Sequence, residues 1–280
     1  MVKDLRILTA RPTQEQERLA PHALYGVLNA NEPTSAALWL TRVVPAIEAA
    51  WQAQQLPLLV GGTGMYVDAL RYALALVPPI DPSVREYWRQ RSLHQPSAAL
   101  HRELTACDPL MAQTLKPGDT QRIVRALEVF HATGRSLLDW QHQPTTPALP
   151  QAQWHCFTRL PPRDVLYHAI DRRFEEMLAH GAMKEVIALL QHPCASIRAD
   201  QPLQHQLMLH PPIFRAHGVP ELIAWHFGQL SEPEAIRKGQ QHTRNYAKRQ
   251  ITWLRHQMSE AQPVENATPL LDTIEKLNYF

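Results

Sequence analysis

The sequence is poor in the residues that define several protein classes. Its three cysteines, Cys107, Cys156 and Cys194, are too few and too far apart for a disulfide scaffold or a zinc knuckle, and they indicate a reducing compartment. Only 10 of the 280 residues are glycine, which excludes collagen-like and glycine-repeat proteins. Basic residues number 28 and acidic residues 26, so the net charge of +2 excludes a globally basic, histone-like protein.

Two further absences concern location. No apolar stretch approaches the roughly 18 residues that a membrane-spanning helix needs. The start of the chain lacks the charged-then-apolar pattern of a signal peptide, and a mitochondrial transit peptide avoids acidic residues such as Asp4, Glu15 and Glu17. The sequence therefore predicts a soluble cytoplasmic protein, long enough for one large domain or two modest ones.

What is present begins with an α/β pattern. After Thr34 and Ser35, either of which can cap a helix, residues 36–54 are helical in pattern. The apolar run 56–60 then ends in the sequence GGTG at 61–64, after which helical spacing resumes. This order predicts a buried strand of a parallel sheet, a tight glycine turn and a helix.

A helical segment interrupts this pattern, with a proline-rich sequence at its start and a linker-like sequence at its end. Its clearest helix begins at Asp119, a capping residue, and stops at Gly134. We therefore predict an α/β core formed by residues 1–80 and 151–280, interrupted by a helical insertion at residues 81–150.

The second half of the chain is mostly helical in pattern. Residues 154–160 read as a strand, and the helical stretch 163–191 breaks near Gly181. Residues 192–213 are rich in proline and histidine and are predicted to be irregular. The last long helix spans residues 231–258.

The strongest functional signal is electrostatic. Residues 235–258 include six Lys or Arg and no Asp or Glu. A helical wheel separates a packing face from a cationic stripe. The packing face carries Tyr246, Ala247, Trp253 and Leu254, and the stripe carries Arg244, Lys248 and Arg255 with Arg249 beside it. A solvated surface helix is the ordinary explanation of such a stripe, but the lack of balancing acids favours a polyanionic partner.

Two shorter patterns point to anions more weakly. Arg122 and Arg125 follow Gln121 at the start of a helix, where the helix dipole favours an anion, although two arginines on an amphipathic helix are ordinary. The turn at 61–64 offers backbone N–H groups and the Thr63 hydroxyl, but a plain tight turn is its simpler explanation.

The remaining candidates have ordinary explanations. Arg172 and Arg173 form a basic pair that Glu175 and Glu176 can neutralise. Fifteen histidines suggest metal binding, but there is no HExxH sequence and no zinc-type spacing apart from the isolated sequence 192–194. A structural metal site is therefore not expected.

Six ordered parts of the chain carry a further signal: LRILTARPT, PHALYGV followed by PTSAA, LPLLVGGTGMYVDAL, GDTQRIVRALEVFHATGRSL, IDRRFEEMLAHGAMKEV and RNYAKRQITWLR. Together they resemble the tRNA dimethylallyltransferase family, also called tRNA isopentenyltransferases. The resemblance spans nearly the whole chain.

The resemblance implies a P-loop kinase-like parallel sheet, with nucleotide and ATP binding, and a helical insertion that clamps a tRNA anticodon stem-loop. Family members transfer a dimethylallyl group from dimethylallyl diphosphate to N6 of the adenine beside the anticodon, after the base has left its stack. An aspartate acts as general base, and Mg²⁺ with cationic groups holds the diphosphate. A cytoplasmic monomer that does not contact a membrane is expected.

The family's functional residues carry over to matching positions. Thr63 should lie at the flipped adenine, and Arg173 should face the diphosphate. The tRNA-binding set that the resemblance implies is Arg85, Gln121, Arg122, Arg125, Arg215, Gly218, Arg244, Lys248, Arg249 and Arg255, of which the last four line the tRNA or diphosphate channel.

The chain also departs from the family pattern. The family begins with a strand, a Walker-type loop ending in Gly-Lys-Ser/Thr, and a second strand ending in Asp-Ser, whereas no Gly-Lys dipeptide occurs in the 280 residues. We therefore expect the first strand, the P-loop and the general-base aspartate to be missing and the chain to be inactive by truncation. Val219 and Pro220 stand where the family has an aromatic residue and a cation.

Four alternatives stay open at this stage. A misassigned start would make the true protein a complete enzyme, and a decaying gene copy would leave no function. A non-catalytic tRNA-binding remnant would keep the insertion and the basic helix. An adenylate isopentenyltransferase, which acts on a free nucleotide, has no need of either feature.

Overall fold

The computed structural model describes residues 2–276, and its fold is mostly helical with a small parallel sheet. The chain divides into two compact units. Unit 1 contains the residues up to Val67 and those from Gln151 onwards, and unit 2 is Asp68–Pro150. No helix within the described residues combines the length and apolar character needed to cross a bilayer.

Unit 1 contains most of the helices, and the boundary between the units falls within α3. The elements of unit 1 are α1 (Gln14–Leu19), α2 (Ala36–Gln52), α3 (Gly64–Tyr72), β1 (Phe157–Thr158), α9 (Arg163–Ala179), α10 (Ala182–Leu190), α11 (Leu203–Leu209), a 3-10 turn (Pro212–Arg215), α12 (Val219–His226), α13 (Glu232–Gln257), β2 (Gln262–Pro263) and α14 (Thr268–Lys276). Those of unit 2 are α4 (Pro82–His94), α5 (Ser97–Cys107), α6 (Pro109–Thr114), α7 (Thr120–Thr133) and α8 (Leu137–Gln141).

Capping residues explain why several helices begin and end where they do. Ser35 Oγ accepts from the Leu38 amide at 3.1 Å at the start of α2. Asp119 caps α7, and Gly134 ends that helix in the left-handed conformation with φ of 67°. Gly181, with φ of 103°, separates α9 from α10. These predicted helices are confirmed. Residues 192–213, which were predicted to be irregular, contain the helix α11.

The sheet is smaller than predicted. β1 and β2 pair in parallel over two residues each, with Phe157 opposite Gln262. The predicted strand at residues 56–60 is wrong, because this segment forms no strand and pairs with none in the described part of the chain. Its side chains are largely exposed, Val60 by 87%. An apolar run becomes a strand only where a neighbour supplies the hydrogen-bonding partners.

Each unit has its own hydrophobic core. In unit 1, Leu5 packs with α10, the 3-10 turn and α12 through residues such as Phe214 and Leu222, all fully buried. In unit 2, Trp88 of α4 packs with buried leucines and isoleucines of α5 and α7. Val77 and Ile80 also belong to this second core, and unit 2 therefore begins before the residue 81 predicted for the insertion.

Candidate functional site

The glycine turn at residues 61–64 packs closely against α13. A Cβ added to Gly62 would lie 2.3 Å from Gln250 Nε2, and one added to Gly64 would lie 2.2 Å from the Trp253 ring. The turn reaches the helix because these residues have no side chains. At the centre of the turn, Thr63 Oγ1 lies 3.3 Å from the Tyr246 hydroxyl. Thr63, the residue predicted to lie at the flipped adenine, therefore contacts the basic helix α13.

Tyr246 is the centre of an aromatic and cationic cluster in unit 1. The His217 ring centroid lies 4.4 Å from that of Tyr246, with 49° between the ring planes. The Arg249 guanidinium lies 5.5 Å from the Tyr246 ring centroid. On α3, burial and the nearby Tyr246 raise the pKa of Tyr66, which stacks on Trp39 at 4.9 Å. The cluster thus offers aromatic faces and a cation beside the Thr63 hydroxyl.

A cleft of about 190 Å³ opens beside this cluster. It is lined by Arg215, Ala216, His217, Pro220, Glu221, His242, Asn245 and Arg249. Glu221 is buried on α12, and its Oε1 accepts from Nδ1 of His242 on α13 at 2.5 Å. The pair joins the two helices that form the cleft.

His217 is surrounded by groups that favour its neutral form. Burial lowers its pKa most, followed by the positive charge of Arg249 and by His242, while Glu221 acts in the opposite direction. An uncharged imidazole can present its ring face to Tyr246 without a desolvated charge.

The cationic stripe of α13 is only partly available. Arg244 is not a free surface cation, because its Nη1 donates to Asp171 on α9 and its Nη2 donates to Gln241 at 2.9 Å. An ion pair between two packed helices therefore replaces the expected contact with solvent. Lys248 and Arg255 are exposed and form no ion pair within residues 2–276.

Two predicted tRNA-binding positions have clear structural roles. Arg215 Nη1 donates to the carbonyl oxygens of Leu207 at 2.5 Å and His210 at 3.0 Å, at the end of α11. Gly218 has a φ of 89°, and a Cβ there would lie 2.9 Å from Phe174. Their predicted contacts with tRNA stay predictions.

Arg173, the residue predicted to face the diphosphate, is exposed on α9 and has no ion pair in the described part of the chain. Arg172 pairs with Glu176 at 3.3 Å, as the ordinary explanation of the basic pair requires. Glu175 accepts from Gln240 of α13 at 3.1 Å. The two arginines therefore differ, and only Arg173 keeps its charge unpaired.

The remaining predicted tRNA residues lie in unit 2. Gln121 and Arg122 are exposed at the start of α7, where Arg122 lies 3.5 Å from Asp119. Arg125 is half-buried and pairs with the buried carboxylate of Glu128 at 3.3 Å. Arg85 lies on α4, with its Nε atom buried and without a hydrogen-bond partner. Arg122 is the most exposed cation of this set, with a side chain 76% exposed.

Magnesium, the cofactor that the family resemblance implies, stays a prediction. Residues 2–276 contain no group of three or more His, Cys, Asp or Glu side chains arranged to hold a metal ion. Such side chains, with carboxylates foremost, are the usual protein ligands of Mg²⁺, which otherwise binds through substrate phosphates.

Sequence reasoning missed several members of the site. Glu221 of α12 and His242 of α13 are 21 residues apart in the chain, and His217, which lies just before α12, joins them. No pattern of residue spacing in the sequence predicts a contact between such separate elements. Tyr246 was assigned to the packing face, and its half-buried ring does pack, but its hydroxyl also reaches Thr63.

Comparisons with known proteins show the family of the chain. Residues 1–257 match the family model described as IPP transferase. The tRNA dimethylallyltransferase of Nitrobacter hamburgensis is 44% identical over 258 residues, which are 92% of this chain and 77% of that protein. One from Rhodopseudomonas palustris is 43% identical, over 97% of this chain and 81% of that protein.

Solved structures of the same kind share the fold. The full-length tRNA isopentenylpyrophosphate transferase of Bacillus halodurans has a TM-score of 0.63 and 26% identity, covering 99% of this chain and 83% of that one. A eukaryotic dimethylallyltransferase described as acting on tRNA has a TM-score of 0.69 at 22% identity, covering 90% and 60%. With a family match over nearly its whole length and relatives above 40% identity, the chain belongs to the IPP transferase family.

Proposed function

We propose that the chain is an enzyme that transfers a dimethylallyl group from dimethylallyl diphosphate to tRNA, at N6 of the adenine beside the anticodon. The contact that carries this proposal is the one between Thr63 and Tyr246, in which a glycine turn meets a cationic helix. The names of the relatives, tRNA dimethylallyltransferases, support the same reaction.

Each part of the site has a distinct task in this proposal. The Thr63 hydroxyl, which can donate and accept, orients the amine of the unstacked adenine. Arg173, with its unpaired charge, attracts the diphosphate as negative charge develops on the leaving group. Lys248, Arg249 and Arg255 of α13 attract the tRNA backbone by charge.

Unit 2 is proposed to bind the anticodon stem-loop. Gln121 and Arg122 at the exposed start of α7 suit a phosphate contact, because the helix dipole adds to the charge of the arginine. Arg85 and Arg125 belong to the same proposed surface. Phosphate contacts of this kind position the RNA, and base contacts select it.

Three further expectations remain predictions. Mg²⁺ accompanies the diphosphate as part of the substrate complex, and no step here is assigned to it. The Walker-type loop, ATP binding and the general-base aspartate are assigned to no described residue. A cytoplasmic monomer is also expected.

The competing function is a tRNA-binding protein without transferase activity. The curated relatives compared above, which are named as transferases, do not favour it. An adenylate isopentenyltransferase is not favoured, since the curated relatives compared above are named for tRNA.

One assay separates the two functions. The purified chain is incubated with Mg²⁺, unmodified tRNA and labelled dimethylallyl diphosphate, and label on the tRNA is counted. Transfer that falls about a hundredfold in Thr63→Ala, the usual cost of losing one positioned hydrogen-bonding group, supports the transferase. Thr41→Ala, which removes an exposed threonine hydroxyl from α2, is the matched control. Salt-sensitive tRNA binding without any transfer establishes the competing function.

A further inference from the structure

His217 begins a line of contacts that ends at the Thr63 hydroxyl. Its ring packs on Tyr246 with the centroids 4.4 Å apart, and the Tyr246 hydroxyl lies 3.3 Å from Thr63 Oγ1. The three residues come from three separate parts of unit 1: the segment before α12, the helix α13 and the glycine turn. Sequence spacing gives no hint of this arrangement.

The glycine turn depends strongly on support from α13. Residues 56–60, which lead into it, pair with no strand in the described part of the chain. Its close neighbours are instead Tyr246, Gln250 and Trp253 of α13. The orientation of Tyr246 therefore bears directly on where the Thr63 hydroxyl lies.

His217 is well placed to fix that orientation, because its own backbone is constrained. It stands between Ala216 and Gly218, and the left-handed Gly218 lies so close to Phe174 that a Cβ would clash. Val219 follows and is fully buried. The His217 side chain is itself exposed, so its orientation depends on this constrained backbone and on its ring contact with Tyr246.

The charges around the ring are consistent with this role. Arg249 and His242 of α13 oppose a proton on His217, and Glu221 of α12 favours one. The His242–Glu221 hydrogen bond partly satisfies the carboxylate. The imidazole thus faces the phenol ring as an uncharged aromatic group, in the tilted geometry that such pairs prefer.

We propose that His217 is a positioning residue, whose ring holds Tyr246 and thereby fixes the Thr63 hydroxyl for the acceptor base. The proposal rests on the proposed function for the meaning of Thr63, but its structural part stands alone. His217 itself transfers no proton and touches no substrate.

The first test measures catalysis. His217→Ala should lower kcat for tRNA dimethylallylation about tenfold, with little change in the KM for tRNA, because the base still binds but its amine is misaligned. His217→Phe, which restores an aromatic ring, should recover most of the rate. Tyr246→Phe should cost little more once His217 is Ala, since both changes act through the same hydroxyl. His226→Ala, at the exposed far end of α12, is the matched control.

The second test needs no activity. In protein labelled at threonine methyl groups, the Thr63 methyl resonance should shift in His217→Ala in the same direction as in Tyr246→Phe. It should stay in place in His226→Ala and return towards its original position in His217→Phe. If His217→Ala does not fold, His217→Leu replaces it, because leucine fills the space without an aromatic ring.

The outcomes of the two tests separate the positioning role of His217 from the proposed transferase function. A Thr63 resonance that ignores His217→Ala, or His217→Leu, in folded protein overturns the positioning role whether or not the chain is active. A resonance that responds, in a chain that transfers no label, keeps the positioning role and rejects the proposed function. Loss of kcat that His217→Phe does not restore also contradicts the proposal, because the ring would then not be what matters.

Discussion

The two units differ in how far along the chain their contacts reach. In unit 2, five helices follow one another and bury Trp88, Leu104 and Leu127 among near neighbours in sequence. In unit 1, Thr63 meets Tyr246 across 183 residues, and Phe157 pairs opposite Gln262. The comparison teaches that the unit built from local contacts can be read from its pattern of caps and apolar positions, whereas the unit that carries the cleft is assembled from distant segments.

The largest effect is expected in the core of unit 2. Trp88 is 1% exposed and packs its ring on His131 at 4.8 Å and under Arg91 at 4.9 Å. Trp88→Ala should lower the free energy of unfolding by about 3–5 kcal/mol, measured by urea denaturation. Tyr87→Ala, which removes an exposed neighbouring ring, should cost much less. Equal losses would show that the burial of the Trp88 ring does not determine the stability of this core.

The next effect tests packing between distant segments of unit 1. Gly239 lies in α13, where an alanine should gain about 1 kcal/mol from helix propensity. Its added Cβ would lie 2.3 Å from Phe174 Cζ, however, and overpacking of this kind costs about 1–3 kcal/mol. Gly239→Ala should therefore be destabilising in thermal unfolding. Gly61→Ala, where nothing lies within 4 Å, is the control, and a stabilised Gly239→Ala would refute the close contact.

The same contrast explains what could be predicted from the sequence. The start of α7 at Asp119 and its end at Gly134 follow from side-chain capping and the left-handed conformation, which are local. Residues 56–60 have the apolar composition of a strand, but strand formation depends on a neighbour that composition does not reveal. The separation of the packing face from the polar face of α13 is correct for Ala247, yet the Asp171 partner of Arg244 could not be foreseen across 73 residues.

A smaller effect is expected from Arg244. Its side chain is 20% exposed, and its ion pair with Asp171 joins α13 to α9. Arg244→Ala should lower the stability of the protein by about 1 kcal/mol, because the pair is partly screened by solvent. Arg244→Lys should restore only part of the loss, since a lysine cannot also donate to Gln241 in the same fork geometry. If Arg244→Ala is as stable as the parent, the ion pair with Asp171 does not stabilise the protein, and Arg244 is available as a cation of the stripe.

In contrast to Arg244, Lys248 and Arg255 should affect the binding of tRNA and leave the stability of the protein unchanged. Their joint replacement by alanine should leave stability nearly unchanged, because both are exposed and unpaired within the described residues. If both contact phosphates, the slope of log K against log salt for tRNA binding should flatten by about two units. Arg122→Ala in unit 2 should flatten it by about one unit. Replacing Glu232, at the other end of α13, with glutamine is a control that should not flatten the slope.

The smallest effect concerns the pH dependence of stability. Because the folded protein lowers the pKa of His217, the unfolded chain binds more protons at this position as the pH falls through the ordinary histidine value of about 6.5. Stability should therefore decrease on acidification from neutral pH and level off once the pH is below the folded pKa. His217→Phe removes this contribution and should make stability less sensitive to pH in that window, measured by urea denaturation at several pH values. His226→Ala should leave the dependence as it is in the parent. A dependence that His217→Phe does not reduce would mean that burial and Arg249 do not lower the pKa of His217 in the folded protein.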